Sequence, residues 1–197
     1  MAARVALSIA LLLNLSVTRA DLERAVAFAR WPHTDAERVR FHDRYLTVIG
    51  GVQGPVTTTP VAIQLEVITE FRRIELMTEE HDQIQDLFGR GGTDDVVEAM
   101  RPWRGKTAIG VYLLLPGGAD AWTPTVNVVV DGVGAEPAYI AARTAFHSSS
   151  HLRASLADRI VDAVFSAAAI GQTTRDVHVV VEGHELARAS VDFSALE

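Results

Sequence analysis

The chain has no cysteine among its 197 residues. That excludes a disulfide staple and a lipoprotein anchor through a lipidated thiol. Lysine is nearly missing too, because Lys106 is the single lysine among 18 basic residues; the bias toward arginine reads as codon usage and carries no mechanism. Basic charge is in deficit, 18 against 25 acidic residues, for a formal charge of −7. A nucleic-acid partner needs a basic patch that displaces counterions from phosphates, so no nucleic-acid partner is expected. Long apolar runs are also lacking. The longest spans residues 5–17, interrupted by Ser8, Asn14 and Ser16; at about 13 residues it falls short of the roughly 20 that a spanning helix needs, and no stable transmembrane anchor is expected.

What that run does resemble is an export leader. Arg4 supplies a short positive start, the leucine-rich centre has the length of an h-region, and Thr18 and Ala20 put small residues at minus three and minus one of a cut after Ala20. Residues 1–20 are therefore read as a signal peptide, and the protein is expected in the periplasm or secreted. The competing reading makes the same stretch a core helix that continues into residues 21–30. The cut would remove Arg4 and Arg19 and no acid, leaving 16 basic residues against 25 acidic ones, a net charge of −9. The remaining 177 residues (197 − 20) suit one domain of ordinary size, long enough to fold without a metal or a disulfide.

The pattern along residues 21–197 predicts a single α+β domain: an N-terminal helical hairpin and further helices packed on a mostly C-terminal antiparallel β-sheet or sandwich. The hairpin is expected over residues 21–50. Leu22, Ala25, Val26, Phe28 and Ala29 form an apolar stripe that Pro32 interrupts. Thr34 and Glu37 fit a capping box that starts a second helix near Asp35, continued by Val39, Tyr45 and Leu46 until Gly50 and Gly51. Within residues 60–104, positions 61–68 alternate as a half-buried strand, with Gln64 and Glu66 on the second face. Phe71, Ile74, Met77, Ile84 and Phe88 recur at helical steps, and Thr93 opens a short acidic-ended helix. Residues 106–197 read as mainly β. Asp131-Gly132 predicts a tight hairpin returning through Tyr139 and Ile140, and Gly183 is expected at the first central position of a second hairpin turn. Residues 156–168 fit a helix through Leu156, Ile160 and Val164, and equally a strand through Val161, Ala163 and Phe165.

Chemistry-bearing motifs are sparse. Gly105-Lys106-Thr107 has the end of a phosphate-binding loop, but Met100 occupies the required first glycine and a strand follows where a helix should. Gly89, Gly91 and Gly92 precede Asp94 and Asp95, which already occupy the positive helix end an anion would need. His147 and His151 have zinc-like spacing, yet three serines separate them and no third ligand is near, so a polar loop is the reading and no metal is expected. No nucleophile elbow accompanies Ser148, Ser149 or Ser150. Glu79, Glu80, His81 and Asp82 are sequential and diverge around a helix, as do His42 and Asp43. His178 and His184 flank the last hairpin and read as surface residues. No cofactor fingerprint is present.

Tryptophan gives the one recognition signal. Trp122 lies in a Gly/Pro loop and Trp103 in a turn; an exposed indole at a loop end could stack on a sugar or a peptide side chain, while core packing is the alternative. Two functional expectations follow. The leading one is an exported, noncatalytic domain of the cell envelope or secretome that binds a protein or small ligand through loops at the end of its sheet, with Trp122 and Trp103 as candidate ligand-binding residues. The alternative is a secreted or periplasmic hydrolase assembled from dispersed groups, with His81, Glu80 and His147 as candidate catalytic residues.

Overall fold

Apart from the strand pattern of residues 61–68, helical periods predominate before Lys106 and strand alternation after it. The computed structural model describes residues 17–30, 37, 40, 42–50, 59–85, 87–89, 93–116, 124–133, 139–144 (backbone) and 159–196. They form an α+β structure that divides into two compact units, residues 1–32 with 68–107 and residues 33–67 with 108–196. The division arises because the helices inserted between two strands bury their stripes on one another and make a core of their own.

In the helical unit, α1 (Arg19–Arg30) buries Leu22, Ala25 and Val26. Thr18 opens it with a capping box: its N–H donates to Asp21 Oδ2 at 3.1 Å, and its Oγ1 accepts from the Asp21 N–H at 3.2 Å. The Thr18 bonds hold the Asp21 carboxyl below its usual range. Helix α2 (Glu70–Gln83) starts at Thr69, whose hydroxyl accepts from the Arg72 N–H at 3.2 Å. Its Phe71 and Ile74 meet the α1 stripe together with Val96 and Met100 of α3 (Asp94–Met100). The expected α2 stripe ends one turn early. Ile84, at 72% exposure, is the C-cap, and Gln85 at φ 58° turns the chain so that Phe88 re-enters the core from a loop. Among the described residues, no helix is long and apolar enough to cross a membrane.

In the other unit, β1 (Leu46–Val48) pairs antiparallel with β2 (Val61–Ile68). Leu46 is thus in a strand, where the pattern predicts helix, because its pairing with Glu66 gives residues 46–48 sheet hydrogen bonds. Of the expected second helix, Glu37, Arg40, His42 and Asp43 are helical and its start lies outside the described residues. The remaining strands are β3 (Lys106–Leu114), β4 (Val126–Val130), β5 (Tyr139–Thr144), β6 (Arg159–Ser166), β7 (Thr174–Val181) and β8 (His184–Asp192), with a one-turn helix α4 (Ala167–Ile170) after β6. The ambiguous stretch is a strand because Val161, Ala163 and Phe165 all reach one core. The sheet orders are β1-β2-β3-β6-β5 and β4-β7-β8.

The two sheets close on one core: Leu65, Val67, Ile109, Val111, Leu113, Val161 and Phe165 from the larger, Val126, Val128, Val130, Val177, Val179 and Val181 from the smaller. Valine faces valine across β4 and β7, in the register Val126↔Val181, Val128↔Val179, Val130↔Val177. Asp131-Gly132 does form a tight turn, with the Val133 N–H donating to the Val130 carbonyl at 3.1 Å, but β4 and β5 do not make a hairpin. β5 pairs with β6, in the other sheet, since the dipeptide sets a local turn and does not fix which strand the returning segment pairs with. Gly132 has φ +71°, and a Cβ there would stand 2.6 Å from Arg175 Nη1. The β7–β8 turn has Glu182 at φ 50° and Gly183 at φ 80°, so both central residues are left-handed and Gly183 takes the second position, not the first.

Phe165, 2% exposed, fills the sandwich, whereas Val129, 44% exposed, stands on its outer face. Urea unfolding is expected to show Phe165→Ala costing about 3–5 kcal/mol and Val129→Ala within roughly 0.5 kcal/mol of wild type. Equal costs would contradict the facing assigned to these strands.

Candidate functional site

Because β7 turns its valines inward at every second residue, Asp176, His178 and Val180 must point outward. The cross-strand register sets Val129 and Arg188 on either side of His178. A β-bulge between Val179 and Val180 shifts the register, so that Ala187 lies opposite Val179 while Glu185 lies opposite Val180. The extra residue lets Leu186, Ala187 and Ala189 all pack against the core and leaves Glu185 within reach of the histidine. His178 Nδ1 is 2.7 Å from Glu185 Oε2, and Nε2 is 3.1 Å from Asp131 Oδ1. Next to it, Arg188 Nε donates to Asp176 Oδ2 at 3.0 Å, and its Nη2 reaches the same oxygen. Arg175 fixes the turn that carries Asp131, donating from Nε to the Ile170 carbonyl at 2.6 Å and from Nη1 to the Asp131 carbonyl at 2.8 Å.

The outer face of the three-stranded sheet therefore bears a row of charges held in register. The Glu185 carboxylate foremost raises the His178 pKa, burial opposes it, and the Asp131 carboxylate adds to the rise. The Arg188 guanidinium holds the Asp176 carboxyl below its usual range. At the turn end of the same sheet the Thr125 N–H donates to Glu182 Oε1 at 2.7 Å, and the Glu182 N–H returns to the Thr125 carbonyl at 3.0 Å. Thr125 is thus fixed beside the β7–β8 turn.

A second polar group lies on the outer face of the five-stranded sheet. Glu66, 2% exposed, accepts from Tyr112 Oη at 2.5 Å. Asp162 is buried close by, and a Cβ on Gly110 would stand 3.0 Å from its Oδ1. The strand pattern marked Glu66 and Gln64 as a second, half-exposed face; both are buried, so β2 is covered on two sides. The signal for that burial was the glycine inside β3, a residue that in a strand interior marks close approach of a neighbour.

The residues singled out from sequence are distributed as follows. Trp103 is half-buried at the end of a 3₁₀ turn (Arg101–Trp103), packed on the helical core with the Arg73 guanidinium 4.0 Å above its ring. His81 lies on α2 with its ring stacked on Phe88 at 4.1 Å and 11°, and Glu80 is exposed at the next position. Trp122 and His147 lie outside the described residues. Among the described residues no group of three His, Cys, Asp or Glu side chains is placed to hold a metal ion. The histidine that does join two carboxylates is His178. Its alternation with Asp176 was readable in the sequence, but the carboxylates come from Asp131 and Glu185, brought in by pairing. No protein-family model matches the chain, and no curated protein and no solved structure matches it.

The His178 cluster carries a pH signature. Its folded pKa lies above the ordinary 6.5, so the stability it adds is fully present below that value and is lost as pH rises through the folded pKa. In urea unfolding between about pH 5.5 and 9, the advantage of wild type over His178→Gln should be largest at the acid end and close toward the alkaline end. A gap that widens with pH would contradict the ion pairs.

Proposed function

We propose that this chain is an exported, noncatalytic domain of the cell envelope or extracellular space, which binds a protein or small ligand through the turn end and outer face of its three-stranded sheet. The observation that carries the reading is the reciprocal pair of hydrogen bonds between Thr125 and Glu182. It fixes Thr125, three residues after Trp122 in the sequence, at the turn end of the sheet, the kind of place where loops on a rigid scaffold engage ligands. An indole offers a large flat surface with one polar handle, suited to a sugar ring or a peptide side chain. On the outer face of the sheet, the fixed charges of Asp131, Asp176, His178, Glu185 and Arg188 supply a pattern that selects a partner by charge complementarity.

Export rests on residues 1–20 acting as a leader, and the apolar centre of a leader does not tolerate a charge. Leu12→Arg is expected to keep the protein in the cytoplasm of its native host, while the wild-type chain is recovered outside the cytoplasmic membrane; fractionation and immunoblotting read both. Cytoplasmic recovery of the wild-type chain would overturn the proposal.

A further inference from the structure

The geometry around Glu70 points to a mature chain that begins at Val17, with its new α-ammonium group held by the Glu70 carboxylate. This rests on the export reading and moves the cut from after Ala20 to after Ser16. Glu70, the first residue of α2, is 7% exposed. Among the described residues its carboxylate accepts two backbone N–H groups, that of Val17 at 3.2 Å on Oε2 and that of Gly105 at 2.5 Å on Oε1. Both donors are neutral amides in the uncut chain. A carboxylate this deeply buried is costly to keep ionised without a charged partner, and the helix N-terminus offers only a partial one.

Hydrolysis of the Ser16–Val17 peptide bond by a host leader peptidase supplies that partner. Water gives its hydroxyl to the Ser16 carbonyl carbon and a proton to the Val17 nitrogen. The amine released is mostly protonated at neutral pH, since its ordinary pKa is about 7.7–8.0. An amide with one N–H becomes a cation with three, at a nitrogen already 3.2 Å from the carboxylate, and the contact becomes a charge-assisted bond. The Val17 side chain is already packed against the helical core.

A cut after Ala20 does the opposite. It removes Val17 from Glu70, deletes the Thr18 capping box of α1 and sets a positive charge at the positive end of that helix. By residue type the site at Ser16 is the poorer match, because Asn14 stands at minus three, where small residues are usual. Ser16 at minus one is small, and a leader of 16 residues is within the usual range of about 15–30.

The test is intact-mass and N-terminal analysis of the protein recovered from fractions of its native host. The expected first residue is Val17, in a chain found outside the cytoplasm. A chain outside the cytoplasm that begins at Asp21, or anywhere else, overturns this inference and leaves the export reading standing. A cytoplasmic chain retaining Met1 or Ala2 overturns both. A second readout separates the ion pair from a merely structural Glu70. In the mature protein, labelling of the Val17 amine near about pH 8 should be roughly tenfold slower than in Glu70→Gln. Equal labelling rates would refute the pair.

Discussion

The sandwich unit depends on one strand. β7 lies between β4 and β8 and buries Val177, Val179 and Val181, so its alternation fixes the core and the outer face together. Each inward valine meets a β4 valine across the ladder, and a branched side chain on a pleated surface fits such a pairing well. A slip of one residue would carry Asp176 and His178 into the core and the valines into water. The same constraint that closes the core thus holds His178 between Asp131 and Glu185 and sets Asp176 beside Arg188.

The helical unit solves a different problem, the placement of buried charge. Arg72 and Glu75 pair at 3.4 Å with both side chains 3% exposed, and Glu70 takes backbone N–H groups from Val17 and Gly105. Such arrangements add little net stability over apolar packing, yet breaking one is expensive because a charge is left behind in a low-dielectric site. They therefore specify where the chain entering α1 and the turn before β3 are held, more than they hold the unit together. Apolar contact of Leu22, Ala25 and Val26 with Phe71 and Ile74 does that.

Local signals in the sequence were read where one element decides the outcome. The α1 stripe, the apolar period of α2, the start of α3 after Thr93 (whose hydroxyl makes no capping hydrogen bond), β2, β3, β4 and the β7–β8 hairpin follow from period and turn residues. Signals failed where a distant partner decides. Asp131-Gly132 makes its turn but sends the chain to another sheet; Leu46 pairs with Glu66 rather than extending a helix. The site shows the same split. His178 and Asp176 were visible as an outward face of a strand, but nothing in the spacing of Asp131 and Glu185 reveals that a turn and a bulge bring both to the imidazole. Likewise the burial of Glu66 and Asp162 depends on what covers the five-stranded sheet, which period alone does not report.

The claim at the centre of this account is that the three-stranded sheet of an exported sandwich meets a partner through its turn end and outer face. It is tested most directly by site-specific photocrosslinking in the native host, with the reactive group placed in turn at Trp122, Val129 and Ile84. Val129 stands on the outer face and Ile84 is exposed on the helical unit. The account predicts a discrete adduct from Trp122 or Val129 and none from Ile84. Adducts from Ile84 alone, or the same adducts from all three positions, would contradict it.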